Sequence, residues 1–298
     1  MALGSSTVLA TALTACGLFG AGGFYSSSVL NAPVDPDSAR YVKSIVEAGD
    51  RGGFWMAADP AERVNLADDA TPAYPVRQKV PYHQFPVPYP WRPDFYVEPL
   101  SDAHAMVVQT QACELYETYQ TTFSGGVLSA YSGAHWNLRH PFVPLAPGTP
   151  SAMASGLSLY AGIVRWEEVA RGSIGHALNW AAPAGTVAQW SFVRPASDTD
   201  GLPFKGSGRY QLPYGARLRL RPSFDTSRFG PQSAAIARAM KTYGVYLADT
   251  ARTNELYDAL AFDGSNHWNE ADLAALGSIH ITDFDVLSLG TIERVPGR

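Results

Sequence analysis

Residues 101–121 constrain the fold more than any other part of the chain, because they have the pattern of a β-hairpin. Two segments that alternate as strands do, 103–109 and 114–120, are joined by a short polar turn. A turn of two or four residues places Met106 opposite Glu117, whereas a three-residue loop shifts the register and brings Glu114 to that position instead.

The first of these registers puts ionisable side chains on one face of the predicted hairpin. Side chains of a strand alternate between the two faces, so Asp102, His104, Glu117 and Tyr119 share one side. An imidazole, two carboxylates and a phenol in one small patch favour chemistry, and we predict catalytic roles for Asp102, His104 and Glu117. The alternative is an ordinary solvated outer face of a sheet.

The composition is typical of a loop-rich β-protein. Of 298 residues, 16% are charged and 12% are aromatic, and the chain contains 27 glycines and 22 prolines. This favours a mainly β fold, a β-sandwich or jelly-roll-like domain with three or four peripheral helices. We expect one such domain over residues 26–298. The net charge of −5 and the lack of a basic cluster argue against nucleic acid as a partner.

Local patterns predict the elements of this domain. Residues 74–99 contain too many prolines for a helix or a central strand, so we expect them to wrap the surface, with their aromatic rings packed on the sheet or, alternatively, left open as a wall that stacks on sugars. Periodicity and capping residues predict helices at 38–48, 165–171, 231–243 and 269–276. Further strands are predicted at 127–138, 175–181, 188–195, 217–221, 245–249 and 284–289.

The N-terminus is typical of an export signal. Residues 1–23 carry no charged side chain, although the usual positive start is missing, and residues 13–16 match a lipobox ending in Cys16. We therefore predict a signal peptide or lipoprotein signal over residues 1–25, a secreted or cell-surface protein, and a lipid anchor at Cys16 as one alternative. Cys113 is then a lone thiol, or it pairs with Cys16 if that residue is retained.

Four groups of segments stand out together, namely SSSVLNAPVDPDSARYV, SDAHAMVV with ELYETY, SAMASGL with GIVRWEEVARGSIGHAL, and YGARLRLRPSFD with ARAMKTYGVYLAD. Together they resemble a family of secreted bacterial proteins of actinobacterial and acidobacterial type. The resemblance covers residues 26–287 and implies secretion, a single domain and importance for certain motif residues, but no activity. The implied motif residues are Asp102, His104, Glu117, His176, Arg217 and Asp249.

Three functions are compatible with these residues. A carboxylate pair, Asp102 with Glu117, suits a glycoside hydrolase that acts on a polysaccharide, and His104 could separate their pKa values. A polysaccharide lyase would use His104 and Tyr119, with an arginine of the 217–221 strand to neutralise a uronic acid. The third alternative is a non-catalytic glycan-binding or structural protein of the cell surface.

The remaining predictions concern substrate and cofactors. Substrate-binding roles are predicted for five residues, and no cofactor is expected. Asp102 and His104, joined by His176 or Asp249, could however bind a divalent ion through mixed oxygen and nitrogen ligands. The predicted substrate-binding residues are Tyr119, Trp136, His176, Arg217 and Asp249.

Overall fold

The fold is mainly β, as the composition predicts. The computed structural model describes residues 16, 23–50, 52–58, 61–79, 85 and 87–295. Strands make up 31% of the structure and helices 17%. The prediction of a β-sandwich-like fold with few helices is confirmed. The predicted export signal lies outside the described residues except for Cys16 and residues 23–25.

The largest sheet has six strands and mixes parallel and antiparallel pairs. Its order is β1-β17-β12-β16-β15-β19, and the central pair β12–β16 is parallel. Both of these strands are buried over most of their length, as is typical of parallel strands covered on both sides. The strands are β1 (Phe54–Met56), β12 (Leu178–Pro183), β15 (Arg217–Leu220), β16 (Val245–Ala251), β17 (Asn254–Leu256) and β19 (Phe284–Val286).

A four-stranded sheet in the order β10-β7-β6-β2 contains the predicted hairpin. Its strands are β2 (Val64–Ala67), β6 (Ala105–Gln109), β7 (Glu114–Tyr119) and β10 (Ser132–Asn137). Smaller sheets are formed by β3 (Ala73–Tyr74) with β5 (Tyr89–Pro90), by β4 (Val76–Gln78), β8 (Thr122–Ser124) and β9 (Val127–Ala130), by β11 (Val164–Arg165) with β18 (Asp258–Ala259), and by β13 (Val187–Phe192), β14 (Leu212–Tyr214) and β20 (Glu293–Arg294).

Five short α-helices lie in the described part of the chain, close to the predicted positions. None of these described helices has the length and apolar character needed to cross a membrane. They are α1 (Ser38–Ala48), α2 (Leu159–Gly162), α3 (Trp166–Ala170), α4 (Pro231–Thr242) and α5 (Glu270–Leu273), with 3-10 turns at Ala274–Ser278 and Ile281–Asp283. The helix α2 is the one that the sequence patterns did not predict.

The hairpin has the predicted register, with Met106 opposite Glu117. However, both of its faces are covered. Met106 and Leu115 face the main hydrophobic core, while Val107 packs in a second cluster on the other side. That second cluster contains Trp91 and other rings of the proline-rich segment, so the described aromatic side chains there pack on the sheet as expected. The hairpin is therefore an interior element rather than a solvated surface.

A disulfide joins Cys16 to Cys113 in the hairpin turn, with an S–S distance of 2.05 Å. Of the two alternatives for Cys113, the structure has the paired one. One sulfur cannot carry both a disulfide and a lipid, so the lipid anchor at Cys16 remains a separate prediction that excludes this bond. Tyr25 is buried, and its hydroxyl donates to Asn179 Oδ1 at 2.8 Å, so a leader that ended at residue 25 would remove a core side chain.

Candidate functional site

An acidic cleft of about 500 Å³ lies where the hairpin end meets three loops and the end of β16. Four aspartates line it, and two tyrosines form part of its wall. None of the described residues that line the cleft is a lysine or an arginine. The aspartates are Asp102, Asp198, Asp200 and Asp249, and the other ring side chains are Tyr119, Tyr131 and His104.

The hairpin end is held at the cleft by two residues with left-handed backbone conformations. Ala103 has φ of 46° and Gln120 has φ of 50°, which is uncommon for residues with a side chain. The N–H of Gln120 donates to the carbonyl of Asp102 at 2.7 Å, and the N–H of Thr121 donates to that of Ala103 at 3.0 Å. These two hydrogen bonds join the open end of the hairpin and keep Asp102 close to Tyr119, so these two predicted residues do lie at one site.

Asp249 also reaches the cleft, as the sequence predicts, and it does so directly after a bulge. The pairing of β12 with β16 shifts at Ala248, so that Trp180 faces Leu247 and Ala181 faces Asp249. Such bulges re-aim the side chains that follow them. The Asp249 carboxylate accepts hydrogen bonds from the backbone N–H groups of Ala154 at 3.0 Å and Thr250 at 2.8 Å.

Burial raises the pKa of Asp249 to about 7, and the charge of nearby Asp200 acts in the same direction. The two backbone hydrogen bonds oppose this shift without cancelling it. A carboxyl group with such a pKa is partly protonated near neutral pH, so it can donate a proton as well as accept one.

Asp200 is in a different environment from Asp249, although Thr250 connects the two. Its Oδ2 accepts from the hydroxyl of Tyr214 at 2.8 Å and from that of Thr250 at 3.3 Å, while Oδ1 accepts from the N–H of Leu202 at 3.0 Å. Since Thr250 donates its N–H to Asp249 and its hydroxyl to Asp200, the two carboxylates are held as neighbours on the same wall.

His104 lines the cleft, but its ring nitrogens are engaged with groups other than Asp102. Nδ1 lies 3.2 Å from Glu62 Oε1 and 3.4 Å from Glu98 Oε2, and Nε2 lies 3.1 Å from the carbonyl of Ala152. Burial by itself would lower the pKa of His104, but the two glutamates outweigh it and hold this pKa well above its usual value.

Glu117 does not line the cleft, which differs from the predicted open site of Asp102, His104 and Glu117. Its side chain is 0% exposed. The carboxylate accepts from the Ser158 hydroxyl at 2.7 Å and from the N–H groups of Leu159 at 3.0 Å and Tyr160 at 2.8 Å. Burial raises its pKa to about 7, as a general acid would need, but the group faces the first turn of α2 rather than a substrate space.

Trp136 and His176, two predicted substrate-binding residues, lie in the interior and away from the cleft lining. Trp136 is buried and its indole N–H donates to the carbonyl of Val143 at 3.2 Å. His176 is buried beside Glu168, at 2.9 Å, and Arg165. His176 is therefore not available to a metal site with Asp102 and His104, and its surroundings are those of a hydrogen-bonded core histidine.

Arg217, also predicted to bind substrate, does not line the cleft. It lines a separate surface depression, where its guanidinium donates to the carbonyls of Tyr243 at 2.8 Å and Ser27 at 2.7 Å. The other two arginines of this strand, Arg219 and Arg221, bind Asp285 at 3.2 and 3.0 Å. The arginine face that the alternation predicted for an acidic polymer is thus occupied by internal partners.

The sequence analysis missed Asp198, Asp200 and Tyr131 as members of the cleft. The run Asp198-Thr199-Asp200-Gly201 is an acidic loop signal that could have indicated the first two. Nothing local distinguishes Tyr131. Glu62 and Glu98 were missed as well, because only the folded chain brings them to His104.

Searches against protein-family models, curated proteins and solved structures found no match to this chain. The resemblance to a secreted bacterial family therefore stays a prediction, and the functional argument depends on the cleft itself.

Proposed function

We propose that the protein is a secreted carbohydrate-active enzyme, a glycoside hydrolase that cleaves a polysaccharide in the acidic cleft. The observation that carries the proposal is the pair Asp249 and Asp200. Glycoside hydrolysis needs one protonated and one ionised carboxyl group close to the scissile bond. Asp249 has a pKa raised to about 7, and Asp200 accepts three hydrogen bonds through its two carboxylate oxygens.

In this mechanism Asp249 protonates the leaving oxygen, and Asp200, held beside it through Thr250, acts as nucleophile or base. Asp102, on the hairpin side of the cleft, and Asp198 add negative charge that stabilises the positive charge of an oxocarbenium-like transition state. The carboxylate pair differs from the sequence-predicted pair of Asp102 and Glu117, because Glu117 is sealed from the cleft.

The charge of the cleft also bears on the substrate. Tyr119 and Tyr131 lie with ring centroids 5.8 Å apart on the wall and offer aromatic surface for a sugar ring. Four aspartates without a basic residue among the described lining side chains would repel a polyuronate. This favours a neutral or amino-sugar polymer and disfavours the lyase alternative, which needs an arginine that Arg217 does not supply at this cleft.

The disulfide between Cys16 and Cys113 supports the secreted location, since disulfides persist mainly in oxidising compartments. The alternative location is the cell surface, with the protein attached through a lipid at Cys16. Mass spectrometry of the protein from its native host separates the two, because a non-reduced Cys16–Cys113 peptide pair excludes an acylated Cys16 in the same molecule.

The test is the degradation of a panel of purified polysaccharides. Two products are measured: new reducing ends, and the ultraviolet absorbance of unsaturated uronates. We expect new reducing ends without that absorbance, from a neutral or amino-sugar polymer. Asp249→Asn should lower the rate on that substrate by ~10²–10⁴-fold, the usual cost of losing a general acid or base.

The matched control is Asp225→Asn, an exposed turn aspartate far from the cleft lining, which should keep the wild-type rate. Binding of a glycan by the wild type with no turnover would instead support the non-catalytic alternative. Turnover that is insensitive to Asp249→Asn in a folded variant would contradict the proposed carboxylate pair.

A further inference from the structure

A cluster of two glutamates and one histidine lies behind the cleft wall. The side chains of Glu62 and His104 are almost fully buried, and Glu98 closes the cluster from a less enclosed position. One ligand-type atom of each of the three residues lies within 4.8 Å of the other two. Within the part of the chain that the structure describes, this is the one group of three or more such residues with that spacing.

The separations in this cluster fit shared coordination. His104 Nδ1 is 3.2 Å from Glu62 Oε1 and 3.4 Å from Glu98 Oε2. Ligand atoms held ~2.0–2.2 Å from one ion at tetrahedral or octahedral angles lie about 3.0–3.5 Å from one another. The two contacts therefore have the length expected on the edges of one coordination polyhedron.

The orientation of the imidazole is also that of a metal ligand. Its Nε2 lies 3.1 Å from the carbonyl oxygen of Ala152, and this contact needs a proton on Nε2. An ion that displaces the proton from Nδ1 would then be bound by the Nδ1 lone pair beside the two carboxylates. A backbone carbonyl on the far nitrogen is the usual outer-shell partner that fixes a metal-binding histidine.

A second observation points to a cation here, namely the unbalanced charge of this interior site. Glu62 Oε2 is buried and accepts no hydrogen bond from the described residues, and the same is true of Oδ2 of the neighbouring Asp258. The ion pairs found for Glu62 and Glu98 among the described residues are with His104 alone. One proton on Nδ1 cannot satisfy two carboxylates and a further buried oxygen.

A second buried histidine–glutamate pair among the described residues shows how such a site is balanced without a metal. Glu168 contacts His176 at 2.9 Å, but Arg165 is also present, 2.8 Å from the same carboxylate oxygen. The guanidinium supplies a permanent positive charge. Among the described residues, no arginine forms an ion pair with Glu62 or Glu98.

We propose that Glu62, Glu98 and His104 bind one divalent transition-metal ion of the Zn²⁺ or Mn²⁺ type. Two carboxylates and an imidazole are ligands that these ions accept. The ion would join three segments: the residues just before β2, the loop before β6 and the start of the hairpin. Glu98 and His104 are already held together by hydrogen bonds from the Glu98 N–H to the His104 carbonyl at 2.9 Å and from the His104 N–H to Glu98 Oε2 at 3.2 Å.

The site is independent of the proposed hydrolase activity, and its test does not use turnover. The full chain is freed of metal by dialysis against a chelator and titrated with ZnCl₂ and with MnCl₂ in a calorimeter, and Co²⁺ is added separately to record its visible absorption. We expect one ion per chain with micromolar or tighter affinity, and cobalt bands that report the nitrogen and oxygen ligands. Glu98→Gln and Glu62→Gln should each weaken binding by more than ~10-fold, because even outer-shell changes cost ~10–100-fold.

The matched control is His135→Gln, which removes a histidine–glutamate contact of 2.7 Å, with Glu114, on a partly exposed strand. This variant should bind the ion as the wild type does. If Glu62→Gln does not fold, as judged by circular dichroism, Glu98→Gln at the less enclosed edge decides the result. No stoichiometric binding by the wild type, equal affinity in the folded Glu98→Gln variant, or an equal loss in His135→Gln would overturn the proposal.

Discussion

Glu117 and Asp249 are carboxylates with the same raised pKa, about 7, and very different surroundings. Burial is the main cause of the shift in both, and both accept backbone N–H groups. Glu117 is completely enclosed and caps the first turn of α2, whereas Asp249 lies on the wall of a cleft large enough for a sugar. A raised pKa therefore does not distinguish a catalytic acid from a structural one, and access to a substrate space does.

The largest expected difference between the two residues is in catalytic rate. In the proposed hydrolase, Asp249→Asn lowers kcat/KM by ~10²–10⁴-fold while leaving the fold intact, because the amide cannot donate the proton. Glu117→Gln should keep kcat within a few-fold of wild type at a temperature where the variant is folded. Both are measured on the substrate identified in the glycan panel. A greater loss of kcat in folded Glu117→Gln than in Asp249→Asn would reverse the comparison.

The pH dependence of the rate should follow Asp249. A general acid must be protonated, so we expect kcat/KM to fall by about tenfold for each pH unit above pH ~7, where Asp249 ionises. This fall in kcat/KM should occur at the same pH in Glu117→Gln, although the pKa of Glu117 is also about 7. If kcat/KM of Glu117→Gln fell at a different pH, the enclosed carboxyl group of Glu117 would control the activity.

Stability against unfolding should depend on pH through Glu117. Its pKa is about 7 in the folded chain and 4.5 as the ordinary value, so between these pH values the folded state retains a proton that the unfolded chain has lost. The stabilisation from this proton is present below pH ~4.5, is lost as pH rises to about 7, and changes no further above that. Each unit of pKa shift corresponds to about 1.4 kcal/mol.

Urea unfolding of wild type and Glu117→Gln at pH 5 and pH 8 measures this contribution. The variant should show a smaller drop in the free energy of unfolding between the two pH values. It should also be less stable by roughly 1–3 kcal/mol at pH 5, since its amide N–H₂ meets an N–H donor of α2. An unchanged pH slope in the variant would assign the dependence to the other buried carboxyl groups, such as Asp258.

The smallest expected effect is at Ser158, which connects Glu117 to the helix. Its hydroxyl donates to Glu117 at 2.7 Å and accepts from the N–H of Ala161 at 3.1 Å, as an N-cap residue does. Ser158→Ala should lower the free energy of unfolding by about 1–2 kcal/mol, with kcat unchanged. Thermal denaturation with a parallel activity assay checks both parts, and Ser265→Ala in an exposed turn is a matched control with little expected effect.

Local sequence patterns predicted the elements of this fold well, for reasons that are visible in particular segments. Alternation predicted that Met106 lies opposite Glu117 if the turn has two or four residues, and the structure has that register. The apolar period and the following glycine predicted α1 at its observed bounds, and a proline at the start predicted α4. In each case the information lies within a few consecutive residues.

The partners and the exposure of polar side chains depend on the tertiary structure. The alternation of Arg217, Arg219 and Arg221 is real, but Asp285 on the neighbouring strand binds the last two, so the arginine face is not open to a polymer. Glu117 lies on its predicted face, but the N-terminus of α2 covers it. A charged residue has the same local signature whether it is solvated, paired or buried, so its role depends on which distant segment packs over it.

The sequence by itself determined the β-rich character of the chain, the two strands of the hairpin, and the ends of its main helices, because period and capping act over short distances. Only the tertiary structure decided that Asp102, Asp200 and Asp249 share a cleft while Glu117 does not, and that Glu62 and Glu98 meet His104. Those groupings join segments far apart in the chain, and they depend on packing and burial that no local pattern contains.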